Sequence, residues 1–151
     1  MRIQFIVHGR IAGSGSKTAM MKSGRNIMVP ASKYSKPWMK LVNLKARMAY
    51  KGEPLEGPLS VHMTFTIERP SNHYGTGCNA GVLKGTAPLY PHQRSLPDLT
   101  KLVRSTEDAM EGVIFKNDKQ VVEQCNSIAY GSPMGVMIIV STKEAWKGAQ
   151  S

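Results

Sequence analysis

The sequence predicts an α+β domain in which a mixed β-sheet is covered by helices. Three observations carry that expectation. The run LSVHMTFTI at 59–67 alternates Leu59, Val61, Met63, Phe65 and Ile67 with small polar residues at period two, the pattern of a half-buried strand. Two other stretches, around 33–50 and 99–110, space their apolar residues as helices do. Strands and helices do not alternate regularly along the chain; the order is strand, hairpin, helix, strand, loop, helix, strand, strand. With 151 residues, a single domain over 1–151 is expected, long enough to bury roughly 70% of its unfolded surface.

Each element has its own reason. RIQFIVHGRI is apolar and β-branched until glycines in AGSGSKT interrupt it, so the first strand ends near Gly9. TAMMKSGRNIMVP holds two short apolar pieces around Ser23-Gly24, a hairpin pattern. SKYSKPWMKLVNLKARMAYKG reads as a helix with Trp38, Leu41, Val42, Leu44 and Met48 on its apolar stripe and lysines and arginines elsewhere. After the turn-forming GEPLEGP comes the alternating strand. Residues 70–97 then lack any period and are rich in Gly and Pro, the pattern of a long flexible loop. Asp98 stands as N-cap of a helix whose buried face is Leu99, Leu102, Val103, Thr106, Met110 and Val113, and Gly112 stops it. QVVEQCNSIAYG and MGVMIIVST close the chain as strands whose turn-rich GSPMG connection predicts a hairpin.

Charge narrows the function. Lys and Arg outnumber Asp and Glu 20 to 10, a net +10, which points to a polyanionic partner or an anionic membrane surface. Apolar runs no longer than VMIIV exclude a spanning helix, and the N-terminus lacks a signal peptide's apolar stretch, so a cytoplasmic protein is expected. Cys78 and Cys125 are expected to be free thiols. The imbalance is local: residues 1–56 carry eleven basic residues against Glu53 and Glu56, whereas six of the remaining acids fall between Asp98 and Glu123.

Several motifs fail on inspection. GSGSKT lacks the spacing of a phosphate-binding G-x-x-x-x-G-K-[ST] loop and is followed by a strand rather than a helix; a basic loop touching a nucleic-acid backbone fits better. His73 and Cys78 have no second ligand pair, so a zinc site is not expected. His8 and His62 lie in strands and read as packed residues, and no serine has the partners of a nucleophile.

The stretch PDLTKLVRSTEDAM survives. Lys101, Arg104, Asp108 and Glu111 are spaced three, four and three apart, so they line one helix face opposite the leucines. Two readings of that face stand side by side. One is a solvated surface of alternating charges with an N-cap aspartate. The other is a metal site, in which Asp98, Asp108 and Asp118 offer carboxylates to a hard divalent ion while Lys101 or Arg104 offsets charge on a scissile phosphate.

PDLTKLVRSTEDAMEGVIFKNDKQVV resembles the signature of the RusA family of Holliday-junction resolvases, particularly its phage-encoded members. GSGSKT, the SKPWMK helix, the alternating strand and HYGTGCNAGVLKGTAP before PDLTKL occur in similar order, so the likeness covers most of the chain. The resemblance implies a homodimeric, Mg²⁺-dependent endodeoxyribonuclease of a bacterial or phage-infected cell that nicks four-way junctions symmetrically. Against the pattern D-L-D-N-x-x-K-x-x-x-D, then D-D-x-Q-V, Asp98, Asp108 and Asp118 match acids. Thr100 replaces the second aspartate, Lys101 the asparagine, Arg104 the lysine and Asn117 the first residue of the acid pair.

The expected catalytic set is therefore Asp98, Asp118, Arg104 and Asp108, with Asp98 and Asp118 as Mg²⁺ ligands. Ten helical residues separate Asp98 from Asp108 by roughly 15 Å, too far for one ion, which leaves Asp108 a supporting or dimer-contact role. DNA contacts are expected from Lys17, Lys33, Lys36, Lys40, Arg47, Arg94 and Lys101. A two-fold dimer would match the two equivalent strands of a junction. A non-catalytic nucleic-acid-binding module, or a ribonuclease, is the alternative.

Overall fold

The computed structural model describes residues 1–14, 17–22, 24–30, 33–92 and 96–143. Six strands and two helices follow in order: β1 (Arg2–His8), β2 (Lys17–Lys22), β3 (Arg25–Pro30), α1 (Ser35–Ala49), β4 (Leu59–Ile67), α2 (Leu99–Met110), β5 (Val121–Tyr130) and β6 (Gly135–Thr142). β2 and β3 pair antiparallel as a separate ribbon, with Lys22 opposite Arg25 at the turn the sequence predicts.

The other four strands form one mixed sheet, ordered β1-β6-β4-β5. β6 is antiparallel to both β1 and β4, whereas β4 and β5 run parallel. Parallel neighbours need a crossover, and residues 68–120 supply it, laying α2 against the sheet. The expected hairpin between the last two strands is therefore not formed, because β4 lies between them. The reason is visible in side-chain character. β5 carries Glu123, Gln124, Cys125, Asn126 and Ser127 and stays largely exposed, which suits an edge, while the inward residues of β4 are fully buried and take the centre.

The core lies between the helices and one sheet face. Ile3, Phe5 and Val7 of β1, the five odd-numbered residues of β4, and Val136, Ile138 and Val140 of β6 meet Trp38, Val42 and Ala46 of α1 and Leu102, Val103, Ala109 and Met110 of α2. The helices are joined across this layer by the indole N–H of Trp38, which donates to Thr106 Oγ1 at 3.2 Å. Among the described residues no helix covers the second sheet face, where Gln4, Ile6, His62, Thr64, Cys125 and Ser127 are exposed. His8 and His62 are thus surface residues, not packed ones, since both fall on the outward register of their strands.

The stripe on α1 is also rotated from expectation. Trp38, Val42 and Ala46 face inward with Ser35, leaving Leu44 and Met48 more than half exposed. On α2 the expected face is the buried one, extended by Ser105 and Ala109. Asp98 caps this helix by accepting from the Thr100 amide at 2.9 Å, and Gly112, at φ +82°, ends it in a conformation that favours glycine.

Residues 70–92 are more organised than a flexible loop. Two short 3₁₀ turns, Ser71–His73 and Gly77–Asn79, are tied by a Tyr74–Leu83 bridge and by the Lys84 amide donating to His73 C=O at 2.9 Å. His73, set aside from the sequence as a zinc ligand, is buried edge-on to Tyr130, and the Arg69 guanidinium lies 4.3 Å from the Tyr130 ring centre. No helix among the described residues is long and apolar enough to cross a membrane.

Candidate nuclease site

On α2, Lys101, Arg104, Asp108 and Glu111 are all exposed, as their spacing predicts, with Thr100 beside them. Opposite, α1 presents Lys36, Lys40 and Arg47, which share one face because they lie four and eleven positions apart. Packing of the two helices brings these surfaces together. Lys40, Asn43, Arg47 and Asp108 line one shallow cleft of about 370 Å³. Asn43 holds it, donating from Nδ2 to Ala109 C=O at 3.0 Å while its Oδ1 accepts from Arg47 Nε at 2.9 Å.

Asp118 reaches the same neighbourhood from the turn before β5. Asn117 accepts from the Lys119 amide at 2.8 Å, and Gln120 Oε1 accepts from the Lys116 and Asn117 amides at 2.9 and 3.0 Å, so the turn is held from within. That capping pattern gives Asn117 a structural task where the resemblance places an acid. The Glu107 carboxylate accepts from Gln124 of β5.

The acids here repel one another. Burial raises the Glu107 carboxyl above the usual range despite the bond from Gln124, and the charges of Asp118 and Asp108 add to it. Burial and Asp118 likewise raise Asp108, against the pull of Arg104. The sign of the pH effect follows. A carboxyl raised in the folded state favours folding below its unfolded pKa, and that contribution is lost as pH rises through the folded value. Glu107→Gln in chelator-treated protein is thus expected to raise Tm at pH 7, with the gain shrinking on acidification through the carboxylate range. A gain constant from pH 7 to pH 4, followed by thermal melts, would contradict this.

Asp98 is placed apart from this cluster. It opens α2, ten residues before Asp108, and lines a cavity with Ile67 and Glu68 at the end of β4. Asp118 precedes Val121, which pairs with Leu59 at the start of β4. The two expected Mg²⁺ ligands therefore stand towards opposite ends of the domain, and Asp118 is grouped with Glu107 and Asp108 instead. Among the described residues no three His, Cys, Asp or Glu side chains converge as a metal cage. The acids fit the looser demand of Mg²⁺, which takes one or two carboxylates and completes its shell with water and phosphate.

Of the expected DNA-contacting residues, Lys33, Lys36, Lys40, Arg47 and Lys101 are exposed. Lys17 begins β2, and Arg94 lies outside the described residues. A family model described as Endodeoxyribonuclease RusA matches residues 11–141, nearly the whole fold. The chain belongs to the RusA family. No curated protein matched it in a direct search. The family is one of endodeoxyribonucleases that act on branched DNA, which supports a nuclease. Sequence reasoning missed the grouping of Glu107 with Asp118. Its only signal was that Glu107 directly precedes Asp108.

Proposed function

We propose that this RusA member is a Mg²⁺-dependent, homodimeric Holliday-junction resolvase that nicks two symmetry-related strands. The observation that carries the reading is the cleft in which the basic face of α1 meets Asp108 of α2, near Asp118. Lys36, Lys40 and Arg47 bind the DNA backbone and bring a phosphate to the acids. Asp118 and Asp108 would hold the ion, with Glu107 adding negative potential, and Asp98 would act at the α2 N-terminus. When bound, Mg²⁺ supplies Lewis-acid activation of the phosphodiester and of attacking water. Arg104 offsets charge on the phosphate, with a forked head that can meet two oxygens where a lysine meets one. Two copies related by a two-fold axis match the two equivalent strands of the junction.

A second reading is favoured by one observation: Thr100 and Asn117 stand where the family pattern has acids, and Asn117 is committed to a cap. In that reading the protein binds junctions without cutting them.

Binding is tested by salt. Each phosphate neutralised by the α1 face contributes a slope of about −0.9 to log K against log salt on duplex arms. The affinity is expected to fall steeply with salt, and Lys36→Ala with Lys40→Ala should flatten the slope by about two such contacts. A salt-independent affinity in titrations of labelled junction would overturn the assignment.

A further inference from the structure

A cavity of about 1020 Å³ lies beside Asp98, and apart from Asp98 and Lys101 its lining has no part in the chemistry proposed above. One wall is the segment 9–14, which is fixed on both sides: the Gly9 amide donates to Met134 C=O at 3.0 Å, the Ser14 amide to Lys101 C=O at 3.1 Å, and Ser105 Oγ to Ala12 C=O at 2.7 Å. A Cβ at Gly13 would sit 2.9 Å from the Lys101 Cβ, so the wall lies directly on α2. Ile11, Ile67, Leu96 and Met134 make much of the lining apolar. At the rim the Arg10 guanidinium lies 3.7 Å from the centre of the Tyr34 ring, and Lys33 lies 5.1 Å from it. Glu68, Asp98 and Lys101 border the space, and Ser14 Oγ lies buried within the wall with no hydrogen-bond partner among the described residues.

We propose that this cavity receives one unstacked nucleobase of the branched DNA, next to the strand that is cut. The proposal rests on the junction-resolvase reading and deepens it. Size alone admits many ligands; chemistry narrows them. A phosphate would meet Glu68 and Asp98 as well as Arg10 and Lys101, so charge does not select it. A neutral planar group with apolar faces suits the walls, a guanidinium stacked on an aromatic ring offers a planar surface on which a base stacks, and carboxylates accept from exocyclic amino groups. The occupant is therefore a base carrying such an amino group, with thymine disfavoured. A base at an exchange point is the cheapest to extrude, because its stacking is already interrupted.

The test uses full-length protein and four-way junctions in chelator, each with one 2-aminopurine moved through the positions around the exchange point. Gel shifts on the same junctions report binding. One position is expected to change emission several-fold on binding by the wild-type protein. Met134→Trp, which narrows the cavity with a bulkier wall residue, should reduce that change while affinity persists, and Arg10→Ala, at an exposed position that does not threaten folding, should reduce it as well. Binding with no responsive position, or a response unchanged in both Met134→Trp and Arg10→Ala, overturns the pocket alone. Absence of junction binding by the wild-type protein overturns it together with the function on which it rests.

Discussion

Asp118→Asn is expected to cut junction nicking by more than about a hundredfold while leaving junction affinity unchanged or tighter. Loss of a residue that merely orients a metal ligand costs about 10–100-fold, and loss of the ligand itself costs more. Affinity moves the other way because the carboxylate that attracts the ion repels the phosphate until the ion is present. The substitution removes one of the charges that raise Glu107 and Asp108. Mg²⁺ should therefore increase the Tm of the wild-type protein and not of Asp118→Asn, a readout independent of cutting. Asp98→Asn separates the two ends of α2: it should impair nicking but keep the Mg²⁺-induced Tm shift, since Asp98 lies away from the cluster. If Asp98→Asn lost the shift and Asp118→Asn kept it, the ion would belong at the helix N-terminus.

Trp38→Ala should destabilise the domain by about 3–5 kcal/mol, a large part of the roughly 5–15 kcal/mol that holds an average domain folded. Trp38 is 1% exposed, and it joins α1 to α2 both by packing and through Thr106. Its removal leaves a cavity where the basic and acidic helices meet, so urea melts should show a lower midpoint, and junction binding should fall with the folded fraction. Trp38→Phe tests the division between packing and polar contact. Thr106 Oγ1 still donates to Leu102 C=O at 2.8 Å, so the loss there should be no more than about 1–2 kcal/mol. A Trp38→Ala protein as stable as wild type would contradict this core.

Residues 97–113 were readable because three independent signals coincide there: a capping aspartate, an apolar face at helical spacing, and a glycine stop. Asp98, Leu102 and Gly112 each do in the fold what their type and position imply. β4 was equally plain from its alternation. The order of strands was not, since GSPMG has the composition of a hairpin and nothing local records that β4 enters between β5 and β6. Only the polarity of Glu123–Ser127 argued for an edge. The rotation of α1 was hidden for a related reason: Leu44 and Met48 continue an apolar pattern as well as Ala46 does, and tertiary packing alone chooses between them. For the site, spacing revealed the charged face of α2 but could not show that the fold brings Asp118 close enough for its charge to act on Glu107 and Asp108, with Glu107 also bonded to Gln124 of β5.

The most direct test of the account is a cleavage assay on one four-way junction labelled on two opposing strands, with Mg²⁺ or with chelator, beside a linear duplex of the same sequence. The account predicts paired nicks at symmetry-related positions of the junction with Mg²⁺, none with chelator, and none on the duplex. Tight junction binding without nicking in Mg²⁺, or equal cutting of the duplex, would contradict it.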